Sequence, residues 1–181
     1  LAVVVGESLI QARKGASLIR SEWEVLPLVS DAVEAQSDEI LVHPNSTSNT
    51  YHELRIRKGD IAEGLQSADV VIEGTYQLPH QEHAYLQVEA ATAWVDEERR
   101  VTIETGGQWI HEDQEQIAHA LDVAPEEVRV KYAAIGGAFG GKEDMSLQIV
   151  MAVTAKKLTN LGITRPVHCN WSREESIVGH H

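Results

Sequence analysis

Gly136-Gly137-Ala138-Phe139-Gly140-Gly141-Lys142-Glu143 is the stretch whose reading decides the fold. Glycines flank the only phenylalanine of the chain on both sides. Glycine admits positive φ and has no Cβ to hold a ligand away from the backbone. A loop of this kind turns main-chain N–H groups toward an oxyanion or a cofactor. Its flanks are regular. Residues 128–133 read as a strand that runs into the loop, and residues 145–161 as a helix that leaves it. Leu147, Val150, Met151, Thr154 and Leu158 share one face of that helix.

Two phosphate-binding templates fit only in part. Gly136, Gly141 and Lys142 satisfy G-x-x-x-x-G-K between a strand and a helix. The next position needs Ser or Thr for magnesium, and the chain has Glu143, which would repel phosphate. The dinucleotide fingerprint fails because Ala138 stands at its second glycine. A glycine turn with no ligand is the plainer alternative.

Further out, residues 90–95 and 100–105 read as strands with Asp96-Glu97-Glu98 as the turn between them. Residues 109–121 read as a helix with Ile110, Ile117, Ala118 and Leu121 inward, and residues 167–171 as a last strand. Pro125 stands at the first position of a short turn. Ser172 is placed to cap a helix that begins at Arg173. Before residue 79 the expectation is strands at 1–5, 21–26 and 70–78, a helix over 7–19, and a short helix over 61–66 capped by Asp60. A boundary near residues 28–55 is expected to separate a small α/β unit from a larger α+β unit.

Composition narrows the function. The chain has 181 residues, 43 % of them hydrophobic, enough for a core. Its formal net charge of -13 excludes nucleic acid and anionic membrane as partners, because both need a basic face. One cysteine, Cys169, leaves no disulfide framework or Cys-based metal site and reads as an inert core residue. No stretch approaches the ~18 apolar residues of a membrane span, and no signal peptide is read, so a cytoplasmic protein is expected. The nine histidines show no His-Glu-x-x-His, and His80 and His83 would face opposite ways on an extended segment. Glu112, Asp113 and Glu115 read as a solvated helix face.

The glycine loop resembles the Gly-Gly-x-Phe-Gly-Gly-Lys-Glu signature of the molybdenum hydroxylases, the xanthine dehydrogenase and aldehyde oxidase family. Other segments resemble the family in the same order: Gln81-Glu82-His83-Ala84-Tyr85-Leu86, Gly106-Gly107-Gln108, residues 68–76 with Asp60, Arg165-Pro166-Val167 and Arg173-Glu174-Glu175-Ser176. The resemblance covers essentially the whole chain. It implies an α+β fold, with residues 1–45 the end of a small α/β hammerhead domain. Residues 46–181 would then be the N-terminal part of the first molybdopterin-binding domain.

The resemblance also implies a function. Enzymes of this family hydroxylate an electron-poor carbon with oxygen derived from water, using a molybdenum–pterin cofactor. Electrons leave through iron–sulfur clusters, usually to FAD, on other domains or subunits. Gln108 would hydrogen-bond an oxygen on molybdenum, and its neutral amide donates without adding charge. Phe139 and Gly140 would set backbone N–H groups and one ring against the metal's oxo ligands. The metal contacts of Gln108 and Phe139 would thus be indirect. Glu143 would contact substrate and tilts the expectation toward a purine-like heterocycle over an aldehyde. Lys142 reads as a structural cation and His83 as a packing or hydrogen-bonding residue under the site. Beside these readings stand plainer ones: Gln108 as a turn residue, Phe139 as a core plug, Glu143 as a carboxylate at a helix start.

Ala138 replaces the commoner third glycine, which is tolerable if its φ stays negative. Leu86-Gln87-Val88-Glu89 departs from the family's Leu-Glu-Pro-His. The family's catalytic glutamate falls beyond His181, so no catalytic residue is expected in this stretch. The chain reads as a piece of a longer polypeptide that alone holds no molybdenum and catalyses nothing. Its expected partners are the remainder of the molybdopterin subunit, the iron–sulfur and flavin modules, and a small-molecule substrate. The two alternatives from other classes are a nucleotide-binding module using residues 136–142 and a non-catalytic interaction domain.

Overall fold

The computed structural model describes residues 2–179. The chain forms two compact units, Leu18–Leu78 and Leu1–Ser17 with Pro79–His181. In the second of these, four strands make one mixed sheet: β1 (Ala90–Val95), β2 (Val101–Thr105), β3 (Val128–Tyr132) and β4 (Val167–Asn170), in the order β3-β2-β1-β4. β1 pairs antiparallel with β2 and β4, and β2 pairs parallel with β3. The turn between β1 and β2 closes on Asp96. Its carboxylate accepts the N–H groups of Glu98 and Arg100 at 3.0 and 2.8 Å.

The parallel β2–β3 pair needs a crossover, because a hairpin cannot join parallel strands. α4 (Ile110–Leu121) supplies it, and α5 (Gln148–Asn160) joins β3 to β4. α4 packs on β3, α5 packs across β1 and β2, and the two helices pack together. The core between them is Ala91, Ala93, Val101, Ile103, Val128 and Val167 from the sheet, against Ile117, Ala118, Met151, Ala152 and Ala155 from the helices. β1 contributes alanines, and small side chains let a helix lie close to the sheet. α4 stops where Asp122 turns into the left-handed region at φ 53. α6 (Arg173–Gly179) opens on a reciprocal cap. The Ser172 hydroxyl accepts the Glu175 N–H at 3.2 Å, and the Glu175 carboxylate accepts the Ser172 N–H at 2.7 Å.

Two readings of helix faces are corrected. Val150 points to solvent rather than into the core. Asp113, expected on a solvated face, is 1 % exposed. It follows Ile110 by three residues and precedes Ile117 by four, which puts it on the inward stripe of α4.

The expected strand at residues 1–5 does not form at residues 2–5, and Leu1 lies outside the described residues. α1 (Leu9–Ala16) follows, capped by the Ser8 hydroxyl. In the unit Leu18–Leu78, residues 21–26 and 70–78 are likewise not strands. Apolar alternation marks a segment that fits a pleated surface, and a ladder partner is what makes it a strand. None of the described residues pairs with these segments, and Val25 and Ile72 remain exposed. This unit holds α2 (Ala32–Ala35) and α3 (Ile61–Ser67), capped by Asp31 and, as expected, Asp60. Asn49 gathers its loop, donating to the Ala35 and Ile40 carbonyls at 2.8 and 2.9 Å and accepting the Val42 N–H at 2.9 Å.

Candidate cofactor-binding site

β3 delivers the chain into the glycine loop, and the C-terminal end of β2 delivers Gly106-Gly107-Gln108 beside it. The loop needs left-handed backbone at Gly137 (φ 99), Phe139 (φ 54) and Gly140 (φ 95). Ala138 is not among the positive-φ residues, so its methyl group costs nothing there and is buried instead. A non-glycine residue held in this region carries strain of roughly 1–3 kcal/mol, and such residues concentrate at functional sites. Phe139 bears that strain while 77 % exposed, so it plugs no core in this chain.

Gly136 and Gly141 serve close approach rather than φ. A Cβ on Gly136 would stand 2.8 Å from Gln87 Cβ, and one on Gly141 would stand 2.8 Å from the His83 ring and 2.9 Å from that of Tyr85. His83 thus lies against the loop, as expected. Preceding Tyr85, Ala84 also adopts left-handed backbone, at φ 50.

Two glutamines clasp the loop. Gln108 N–H donates to the Lys142 carbonyl at 3.0 Å, and Gln108 Oε1 accepts the Lys142 N–H at 3.1 Å. With Oε1 fixed this way, the side chain's remaining polar group is the Nε2 donor. At the other end Gln87 N–H donates to the Gly136 carbonyl at 3.2 Å, and Gln87 Oε1 accepts the Gly136 N–H at 2.6 Å. Within the loop, Gly141 and Glu143 donate to Ala138 and Gly140. Among the described residues, the N–H groups of residues 137–140 have no acceptor. They are the donors left to an anionic or oxo-bearing ligand.

Lys142 is 5 % exposed and turned inward. Its Nζ donates to the Gln87 carbonyl at 2.9 Å and lies 4.4 Å from the centre of the Tyr85 ring. Burial lowers its pKa, the carboxylate of Glu89 opposes that shift, and Arg173 adds to it. A phosphate-loop lysine must reach out to its ligand, so this geometry gives the nucleotide-binding reading no lysine. Lys142 is the structural cation expected. Beneath it Tyr85, buried, donates its hydroxyl to Glu89. Burial first, then Glu89, push the phenol above its ordinary pKa.

Gln108 itself is braced from below. A Cβ on Gly107 would overlap the Tyr132 hydroxyl. That hydroxyl donates to Asp113 Oδ2 at 2.8 Å, and Gln148 Nε2 donates to the same oxygen at 3.3 Å. Strand β3 and helices α4 and α5 thus meet in one polar contact next to the Gly106-Gly107-Gln108 corner. Sequence reasoning missed Gln87, Asp113, Tyr132 and Gln148. Only Asp113 left a signal, its place on the apolar stripe of α4. Glu143, half-buried, follows Lys142 at the end of the loop, adjacent in sequence to the clasp. Among the described residues no group of three His, Cys, Asp or Glu side chains converges to hold a metal ion directly. Cys169 is half-buried beside the core, with its thiol pKa raised by burial.

The family model of the molybdopterin cofactor-binding domain matches residues 42–181. A probable xanthine dehydrogenase subunit of Bacillus subtilis (strain 168) is 31 % identical over 98 % of this chain and 23 % of its own length. The xanthine dehydrogenase molybdenum-binding subunit of Escherichia coli O157:H7 is 29 % identical, with the same shares covered, 98 % and 23 %. The solved aldehyde oxidoreductase from Desulfovibrio gigas superimposes with a TM-score of 0.85 at 26 % identity, over 96 % of this chain and 19 % of that one. The chain therefore spans under a quarter of the length of these relatives.

Proposed function

This chain belongs to the molybdopterin cofactor-binding domain family, and we propose that it builds one wall of the active site of a molybdenum-dependent hydroxylase. The observation that carries this reading is the clasped loop. The loop carries four unused N–H groups and an outward Phe139 ring, and the fixed amide of Gln108 is tied to the loop's end at Lys142. The donor set suits the group: neutral N–H donors fit oxo-type oxygens, and a loop free of Cβ atoms at its glycines admits a close ligand. The bound cofactor supplies redox chemistry that places a water-derived oxygen on an electron-poor carbon.

The chain's own residues do the holding. Gln108 offers Nε2 to an oxygen of the cofactor, and its Oε1 cannot swing away without losing Lys142 N–H. Phe139 and Gly140 present main-chain donors, and the Phe139 ring keeps water from the face it covers. These groups are preorganised, so they stabilise charge without reorganising when it develops. Glu143 accepts N–H donors of the substrate, which favours a purine-like heterocycle. The relatives include both xanthine dehydrogenases and aldehyde oxidoreductases, so an aldehyde is the competing substrate.

In this reading residues 1–45 close a small α/β hammerhead domain, and residues 46–181 begin the molybdopterin-binding domain. The remaining cofactor contacts and the catalytic base come from other parts of the complete subunit, so the 181-residue stretch alone is inactive. Iron–sulfur and flavin domains or subunits take the electrons, in the cytoplasm. Among the described residues no helix is long and apolar enough to cross a membrane.

The test is a pair of variants in the complete enzyme. Gln108→Ala is expected to lower activity or metal retention about 10- to 100-fold, the usual cost of removing an outer contact to a metal site. Glu143→Ala is expected to raise KM for a purine substrate and leave an aldehyde unaffected. Full activity and full metal content in Gln108→Ala would contradict the assignment of that residue. Equal effects on both substrates would contradict that of Glu143.

A further inference from the structure

We propose that Gln87 is the positioning residue that sets the shape of the cofactor loop, holding both of its ends at once; its consequence for the cofactor rests on the functional reading above. Gln87 uses three of its polar groups on the loop. Its N–H and Oε1 take the carbonyl and the N–H of Gly136 at 3.2 and 2.6 Å, which fixes the first residue of the loop in both senses. Its carbonyl takes Lys142 Nζ at 2.9 Å, which fixes the residue that closes the loop. Gln108 reaches only Lys142. Gln87 therefore ties the entry to the exit, and the segment between them is the one with left-handed backbone at Gly137, Phe139 and Gly140.

The packing is consistent with that role. Gly136 has no room for a side chain because Gln87 Cβ occupies it, and the Gln87 amide lies 3.4 Å from where a Cβ on Gly106 would stand. One amide thus sits between the two glycine segments of the site. A strained Phe139 needs its surroundings to over-determine the backbone. A loop with no regular hydrogen-bond ladder gets that constraint from its ends. The contact that matters on the side chain is an acceptor oxygen facing Gly136 N–H. A carboxylate of the same length supplies the same oxygen, whereas an isosteric hydrocarbon does not.

The experiment uses the complete holoenzyme in four forms: wild type, Gln87→Leu, Gln87→Asn and Gln87→Glu. Amide hydrogen exchange is read on the peptide that spans residues 134–144, with peptides of β2 and α5 as controls, and molybdenum and released pterin are quantified on the same samples. Gln87→Leu is expected to speed exchange of the loop peptide at least tenfold, with the controls unchanged, and to lower cofactor content at least fivefold. Gln87→Asn, one methylene short, is expected to do the same if the leucine variant fails to fold. Gln87→Glu is expected to keep wild-type exchange and cofactor content. Unchanged loop exchange in both Leu and Asn variants overturns the proposal. A loosened loop with full cofactor content overturns its link to the cofactor. A wild-type protein that holds neither molybdenum nor pterin overturns the functional reading instead, and the exchange data still decide whether Gln87 shapes the loop.

Discussion

Phe139 carries two costs in one residue. Its backbone is left-handed, which glycine adopts freely and phenylalanine does not, and its ring is left outside the core. Selection for stability alone would favour glycine at this position. Phe139→Gly is therefore expected to leave the melting temperature of the complete enzyme unchanged or raised, since roughly 1 kcal/mol or more of strain is relieved. The same substitution is expected to lower cofactor content or turnover. Thermal unfolding beside molybdenum analysis reads both; a clear loss of stability with unchanged cofactor would make Phe139 a packing residue. The phenylalanine among its glycines was legible as a candidate because no rule of local structure asks for it. The clasping role of Gln87 was not legible. A glutamine 49 positions before its partner Gly136 leaves no periodic trace, and the contact exists only once β1, β2 and β3 share a sheet.

At the scale of elements, the polar contact of Asp113, Tyr132 and Gln148 joins α4, β3 and α5 behind the Gln108 corner. Desolvation raises the Asp113 pKa, and the hydrogen bonds from Tyr132 and Gln148 only partly offset it. A carboxyl whose folded pKa stands above its unfolded one holds more protons when folded, so this group's contribution to stability falls as pH rises through that interval. Asp113→Asn is expected to remove that dependence and to change stability at neutral pH by less than ~1 kcal/mol, because an amide oxygen still accepts. Asp113→Leu leaves the buried Gln148 amide and the half-buried Tyr132 hydroxyl without this acceptor and is expected to cost ~2–4 kcal/mol. Denaturation at several pH values separates the two, and equal stability of the Asn and Leu variants would remove the polar contact from the account. β1, β2, β3, β4, α4 and α5 were all legible from period and turn residues within a few positions. The strands expected before residue 79 were not formed, because period 2 reports a tendency that only a neighbouring strand can realise. The polarity of Asp113 misled for the opposite reason: a buried carboxylate needs partners that lie on other elements.

For the molecule as a whole, the candidate site lies at the ends of β2 and β3, where two glycine segments meet, inside the stretch 42–181 that the family model matches. Against a formal net charge of -13, the N–H-rich loop offers neutral main-chain donors to an anionic group. The sheet unit holds together around its own core. The chain covers 23 % of the length of its bacterial xanthine dehydrogenase relatives, so the proposed activity is tested on the complete protein. The most direct measurement is molybdenum together with released pterin in that complete protein, purified from a host shown to load another molybdenum hydroxylase. Close to one molybdenum and one pterin per subunit is expected, reduced in Gln108→Ala. Neither molybdenum nor pterin in protein from such a host would contradict it.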